Sequence, residues 1–162
     1  MINLNNKIPD APNFSYKEFV RSTTAIRYGI DNTPPDEKTW SNIEKLAVNV
    51  LQPLRNEFGG IRILSGYRSP KLNIKIGGSS TSNHCRGEAA DIEPLEDGVK
   101  LIDILNFIIV NLDFRWVISE YLPQGWVHVD YREGANIKGI KLKDEKHNYT
   151  IVSSDYLNTI YV

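Results

Sequence analysis

A chain of 162 residues, 41% of them hydrophobic, has the size of one domain able to bury about two-thirds of its unfolded surface. Nineteen basic and twenty acidic residues leave a formal net charge of -1 with no run of like charges, which argues against a general nucleic-acid binder. The longest apolar run, LIDILNFIIV at 101–110, is interrupted by Asp103 and Asn106 and is too short to cross a bilayer. The start, MINLNNKIPDAPNF, has no apolar signal core, and one cysteine, Cys85, excludes an internal disulfide framework. The expectation is a single domain over 1–162, a monomer made in the cytoplasm, engaging neither nucleic acid nor membrane.

In FSYKEFVRS, Ser15 stands three residues before Glu18, a capping-box spacing that predicts a short helix. NTPPDEKTWSNIEKLAVNVLQPLRNEFGG, at 32–60, is the strongest helical stretch. Thr33 is expected to cap it and Pro34 to fill its first turn. Trp40, Ile43, Ala47, Val50, Leu51, Leu54 and Phe58 recur at helical steps, Pro53 would kink the helix, and Gly59-Gly60 would end it. IRILSGYRS reads as a short strand running into a turn, and PKLNIKIGG as one or two helical turns. DGVKLIDILNFIIVNL predicts a second long helix burying Ile102, Leu105, Ile109 and Leu112. FRWVISEY, GWVHVDY, GIKLK and YTIVS alternate as strands of an antiparallel sheet. Helices first and strands later give an α+β class.

The chemistry gathers in TSNHCRGEAADIEP, at 81–94. Zinc takes imidazole nitrogen and carboxylate oxygen, and a catalytic site uses three protein ligands. His84 and Asp91 are seven residues apart, so one helix face or one straight strand cannot join them. They converge if the chain leaves a loop at His84, turns near Gly87 and re-enters a strand ending at Asp91, with Ala89 and Ala90 permitting close backbone approach. His128 in GWVHVDY supplies a third ligand. Alternation sets Trp126, His128 and Asp130 on one face, so Asp130 can orient the imidazole. Glu120 ends an apolar strand and is the candidate base for activating water; Arg68 is the candidate cation for an oxyanion or a substrate carboxylate. Trp126 and Tyr67 are packing residues able to wall a cleft. His147, among charges in KDEKHNYT, reads as solvated, and Cys85, pointing away from its neighbour His84, as a buried inert thiol. Each residue has a plainer reading alone: a strand histidine is more often structural, and Arg68 could close a turn through carbonyls. The three ligands together carry the argument.

SGYRSP, then S-x-H-x-x-G-x-A-x-D at Ser82, His84, Gly87, Ala89 and Asp91, then WVH, resemble the zinc D-Ala-D-Ala metallopeptidases. That family includes cell-wall carboxypeptidases and phage endolysins and shares its fold with the hedgehog signalling domain. The resemblance covers about residues 14–131. It implies one zinc ion on His84, Asp91 and His128, with Arg68 meeting substrate and Ser82 supporting the site. Many relatives carry the catalytic carboxylate three residues before the last histidine, where this chain has Gly125; a branch places a glutamate on the preceding strand, and Glu120 resembles that one. The implied substrate is a peptidoglycan peptide, cut at D-Ala-D-Ala, a crosslink or an L-Ala-D-Glu bond. Without a signal peptide the enzyme would reach the wall after release, as a phage lysin or virion-associated protein, although a bacterial source also fits. The rival is a non-catalytic, zinc-stabilised binding or virion structural module on the same fold.

Overall fold

The computed structural model describes residues 2–135 and 137–154. Strand alternation builds a six-stranded sheet with two unlike faces. Its strands are β3 (Ile61–Ser65), β4 (Ala89–Pro94), β5 (Trp116–Glu120), β6 (Trp126–Asp130), β7 (Gly139–Lys143) and β8 (Tyr149–Val152), in the order β3-β4-β6-β5-β7-β8. Ala90, Ile92, Val117, Val127, Val129 and Ile140 point to the core and are buried. The opposite face pairs Asp91 with His128, His128 with Ile118, and Ile118 with Lys141 across four neighbouring strands. This is the period of two acting across the sheet: residues directly opposite one another share a face.

The α+β class holds, with one departure from the expected antiparallel order, since β7 runs parallel to β5. β6 ends at Asp130 opposite Trp116, and β7 starts at Gly139 opposite the same Trp116. A short link therefore carries the chain around the end of β5 to its outer edge, and the next strand must run in β5's direction. Alternation encodes the face of each residue but not the direction of the strand.

Helices cover the apolar face. Helix α1 (Tyr16–Val20) has the capping box expected at Ser15, whose N–H and hydroxyl both donate to Glu18 Oε1, at 3.1 and 2.7 Å. A two-strand hairpin, β1 (Lys7–Ile8) with β2 (Ala11–Ser15), and helix α2 (Thr23–Tyr28) were not foreseen. Helix α3 (Glu37–Leu46) is capped by Asp36, which accepts from Thr39 N–H at 2.8 Å, and not by Thr33. Thr33 and Pro34 each precede a proline, which disfavours helical backbone at both. Ahead of Pro53 the chain widens into a π-helical turn, Ala47–Leu51, before α4 (Gln52–Phe58). Proline lacks the N–H that the α ladder needs, and the wider turn accommodates the gap. Helix α5 (Pro70–Lys75) forms the short turn predicted there.

Helix α6 (Leu101–Asn111) packs on β4, β5, β6 and α4, with Phe107 edge-on to Phe58 at 5.3 Å between ring centroids. It buries Leu101, Ile104, Leu105 and Ile108. Of the expected stripe only Leu105 is fully buried; Ile102, Ile109 and Leu112 are partly covered. The helix is apolar on nearly every side, so its spacing alone could not select the face. Among the described residues, no helix is long and apolar enough to cross a membrane.

Candidate functional site

His84 stands on a 3-10 turn, Asn83–Arg86, and not in an open loop. Gly87 closes that turn with φ of 71°, and a Cβ there would lie 2.7 Å from the Thr39 carbonyl oxygen. Both the left-handed backbone and the approach to α3 call for glycine, as the sequence suggested. The chain then enters β4, which runs on past Asp91 to Pro94. Ala89 faces Asp130 on the cleft side while Ala90 enters the core.

Three side-chain atoms converge where these elements meet. His84 Nε2 lies 3.3 Å from Asp91 Oδ1 and 3.2 Å from His128 Nδ1, and the last two are 2.8 Å apart. Zinc with ligands at about 2.0–2.1 Å in tetrahedral geometry separates them by about 3.3 Å, so the triangle has the size of one face of such a polyhedron. Backbone and carboxylate partners fix the ring nitrogens. His84 Nδ1 donates to the Gly66 carbonyl at 2.7 Å, leaving Nε2 with its lone pair inward. His128 turns Nε2 toward Asp130 Oδ2 at 3.8 Å and Nδ1 inward. Asp130 also accepts from the Asn83 amide and, at 3.1 Å, from the Trp116 N–H.

Lone pairs this close repel unless a proton or a metal cation lies among them. The electrostatics of the three groups follow that demand. Burial alone would lower the His128 value, but Asp130 and Asp91 push it up to about 9. Burial holds the His84 imidazole below its ordinary value. Burial would raise Asp91, yet the two histidines hold its carboxyl well below the usual range. The donor set of two imidazoles and one carboxylate fits a single divalent ion.

The remaining candidates divide around this triangle. The Arg68 guanidinium pairs with Asp91 Oδ2 and donates through Nε to Ser65 Oγ at 2.7 Å, so it orients a ligand carboxylate while lining the cleft. A register shift between Ile63 and Ser65 brings Ser65 opposite Asp91. Ser82 lies at the cleft rim, its carbonyl accepting the Cys85 N–H. Tyr67 is a packing residue, as the sequence suggested: it is 3% exposed, its N–H donates to Phe19 O at 2.7 Å, and it does not line this cleft. The turn at Gly66, packed on the Phe19 backbone, sends residue 67 inward and residue 68 to the cleft. Burial, chiefly, pushes the Tyr67 hydroxyl up to about 12. Cys85 is half-buried, not buried, and desolvation raises its thiol, which leaves it protonated and inert at neutral pH. His147 is exposed in the β7–β8 turn as expected, although its Nδ1 lies 2.7 Å from the Tyr121 hydroxyl.

Glu120 lines the same cleft, 8% exposed, opposite Trp126 and next to the His128 cross-strand pair. Its Oε2 accepts from Lys143 Nζ at 2.7 Å, an ion pair the sequence gave no sign of, because it depends on β7 lying parallel beside β5. Its Oε1 makes no hydrogen bond among the described residues. Trp126 lines the cleft and stacks edge-on against Tyr121 at 5.4 Å. Gly125 has φ of 88°, and a Cβ there would lie 2.0 Å from the Glu120 carbonyl oxygen, so this position cannot carry a side chain. Also unforeseen is buried Glu88, which accepts from Arg132 at 2.9 and 2.6 Å and from Arg86 at 3.0 Å, tying the His84 turn to the segment after β6. The cleft above the triangle has a volume of about 680 Å³.

Residues 12–130, more than half of the chain, match the Peptidase M15 family model. No curated protein matches the sequence.

Proposed function

The chain belongs to the M15 peptidases, the zinc D-Ala-D-Ala carboxypeptidase-like family, and on that premise we propose that it hydrolyses peptide bonds in bacterial peptidoglycan stems or crosslinks with one zinc ion held by His84, Asp91 and His128. The observation that carries this reading is the triangle of His84 Nε2, Asp91 Oδ1 and His128 Nδ1 at the floor of an open cleft. A zinc ion there would supply Lewis-acid polarisation of the scissile carbonyl and activation of water. The chain's own groups do the rest. Gly66 O, Arg68 and Asp130 hold the three donors in place. Glu120 lines the cleft, and its Oε1, free of hydrogen bonds among the described residues, would accept the proton of the attacking water and pass it to the leaving amine, while Lys143 holds Oε2. The wall substrate rests on family membership and on the S-x-H-x-x-G-x-A-x-D motif.

Purified protein should carry close to one zinc per chain and release peptides from isolated peptidoglycan, and chelation should abolish release. His84→Ala should lose both metal and activity. Glu120→Gln should keep the metal and lose about 10²–10⁴-fold in turnover. A fully active Glu120→Gln protein would move the base elsewhere. The second reading, a metal-stabilised binding or virion module, draws on the Lys143–Glu120 pair, which engages the carboxylate a hydrolase needs. Zinc-loaded protein that binds wall peptides without cutting them would favour the module.

A further inference from the structure

The sheet extends beyond the family match. Strands β7 and β8, residues 139–152, lie past residue 130 and widen the cleft face by two strands. They bring Lys141, Lys143 and Tyr149 to the cleft that holds the metal triangle. The lining carries five lysine and arginine side chains and three carboxylates, although the whole chain has a net charge of -1. Three of the cations are committed: Arg68 to Asp91, Lys143 to Glu120, and Arg86 to Glu88. The other two have no acidic partner within 4.0 Å among the described residues. Arg115 reaches only the Asn83 amide oxygen, at 3.4 Å, and Lys141 Nζ rests 4.0 Å above the Trp116 ring.

This wall is built into the sheet. A Cβ on Gly139 would lie 2.3 Å from the Trp116 ring, so the indole can lie across β7 only because that residue is glycine. The ring lies beneath Lys141, whose ammonium is also 6.0 Å from the Tyr149 ring. Unpaired cations in a concave site focus a positive potential on whatever enters it, and a guanidinium and an ammonium on the wall of one cleft suit a carboxylate.

We propose that Arg115 and Lys141, with the Trp116 ring beneath the lysine, form a subsite for a free carboxylate of the substrate peptide, so that this wall of the cleft selects acidic peptides for the metal site. The proposal rests on the peptidase reading for the identity of the ligand as a substrate.

The test uses matched synthetic wall peptides that end in a carboxylate or a carboxamide, or carry their glutamate as acid or amide, with the zinc-loaded protein. The unaltered protein should prefer one of the acids by about 10–100-fold in kcat/KM, the worth of a charge-assisted contact. Lys141→Met and Arg115→Gln should each shrink that ratio, and the double variant should bring it near unity, with zinc content as the folding control. Equal handling of acid and amide by the unaltered protein, or a preference that survives the double variant, would overturn the subsite. If neither peptide is cut, the peptidase reading fails, and calorimetric binding of the same pairs decides the subsite alone. Acid-selective binding lost in the double variant sustains it; binding without acid preference, or none, ends it.

Discussion

Each of the three converging donor atoms owes its direction to a neighbour that the S-x-H-x-x-G-x-A-x-D motif does not contain. The Gly66 carbonyl fixes the His84 tautomer, Arg68 holds the second oxygen of Asp91, and Asp130 faces the outer nitrogen of His128. Arg68 thus holds the carboxylate of a candidate ligand, a contact that stands beside the substrate role the sequence suggested for it. Gly125 accounts for the departure from relatives that carry a carboxylate three residues before the last histidine. Its positive φ and the Glu120 carbonyl 2.0 Å from any Cβ exclude a side chain there. Gly125→Ala should therefore lower stability by at least about 1 kcal/mol in chemical denaturation. Gly125→Glu introduced into Glu120→Gln should not restore turnover, and a rescued rate would show that the loop can carry the carboxylate after all.

Among the elements, the Asp36 cap, the π turn before Pro53 and the buried face of α6 are each local choices with a physical cause. The α6 face can be tested directly. Ile104 is fully buried against the sheet whereas Ile102 is only partly covered. Ile104→Ala should cost about 2–5 kcal/mol and Ile102→Ala clearly less, measured by urea unfolding at equal metal content. Equal losses would mean that the helix is rotated from the orientation described. Strand β7 matters most for the cleft, since its parallel placement beside β5 sets Lys143 against Glu120 and Lys141 over Trp116.

Across the whole molecule, an ion held by the His84–Asp91–His128 triangle would couple metal binding to folding. His84 comes from a 3-10 turn, Asp91 from β4 and His128 from β6, so an ion that binds all three stabilises only the folded chain. Ligand present at about 100 times its Kd adds about 2.7 kcal/mol. Chelated protein should melt at a lower temperature than zinc-loaded protein, and added zinc should restore the Tm. His84→Ala should melt at the same temperature with or without zinc. An unaltered Tm on removing a demonstrably bound ion would separate the metal from the folding of this site.

The convergence of His84, Asp91 and His128, the glycine that turns the chain between the first two, the face shared by Trp126, His128 and Asp130, the Ser15 cap and the α+β class were all legible in the residues. Their causes are local: side-chain chemistry, left-handed backbone, the two-residue period of a strand and the reach of a capping carboxylate. The inward turn of Tyr67, the pairing of Arg68 with Asp91 and of Lys143 with Glu120, the parallel β7 and the face α6 buries were decided only in the folded molecule. Those features depend on which strand lies beside which, and in what register, and one strand's alternation carries no record of its neighbour.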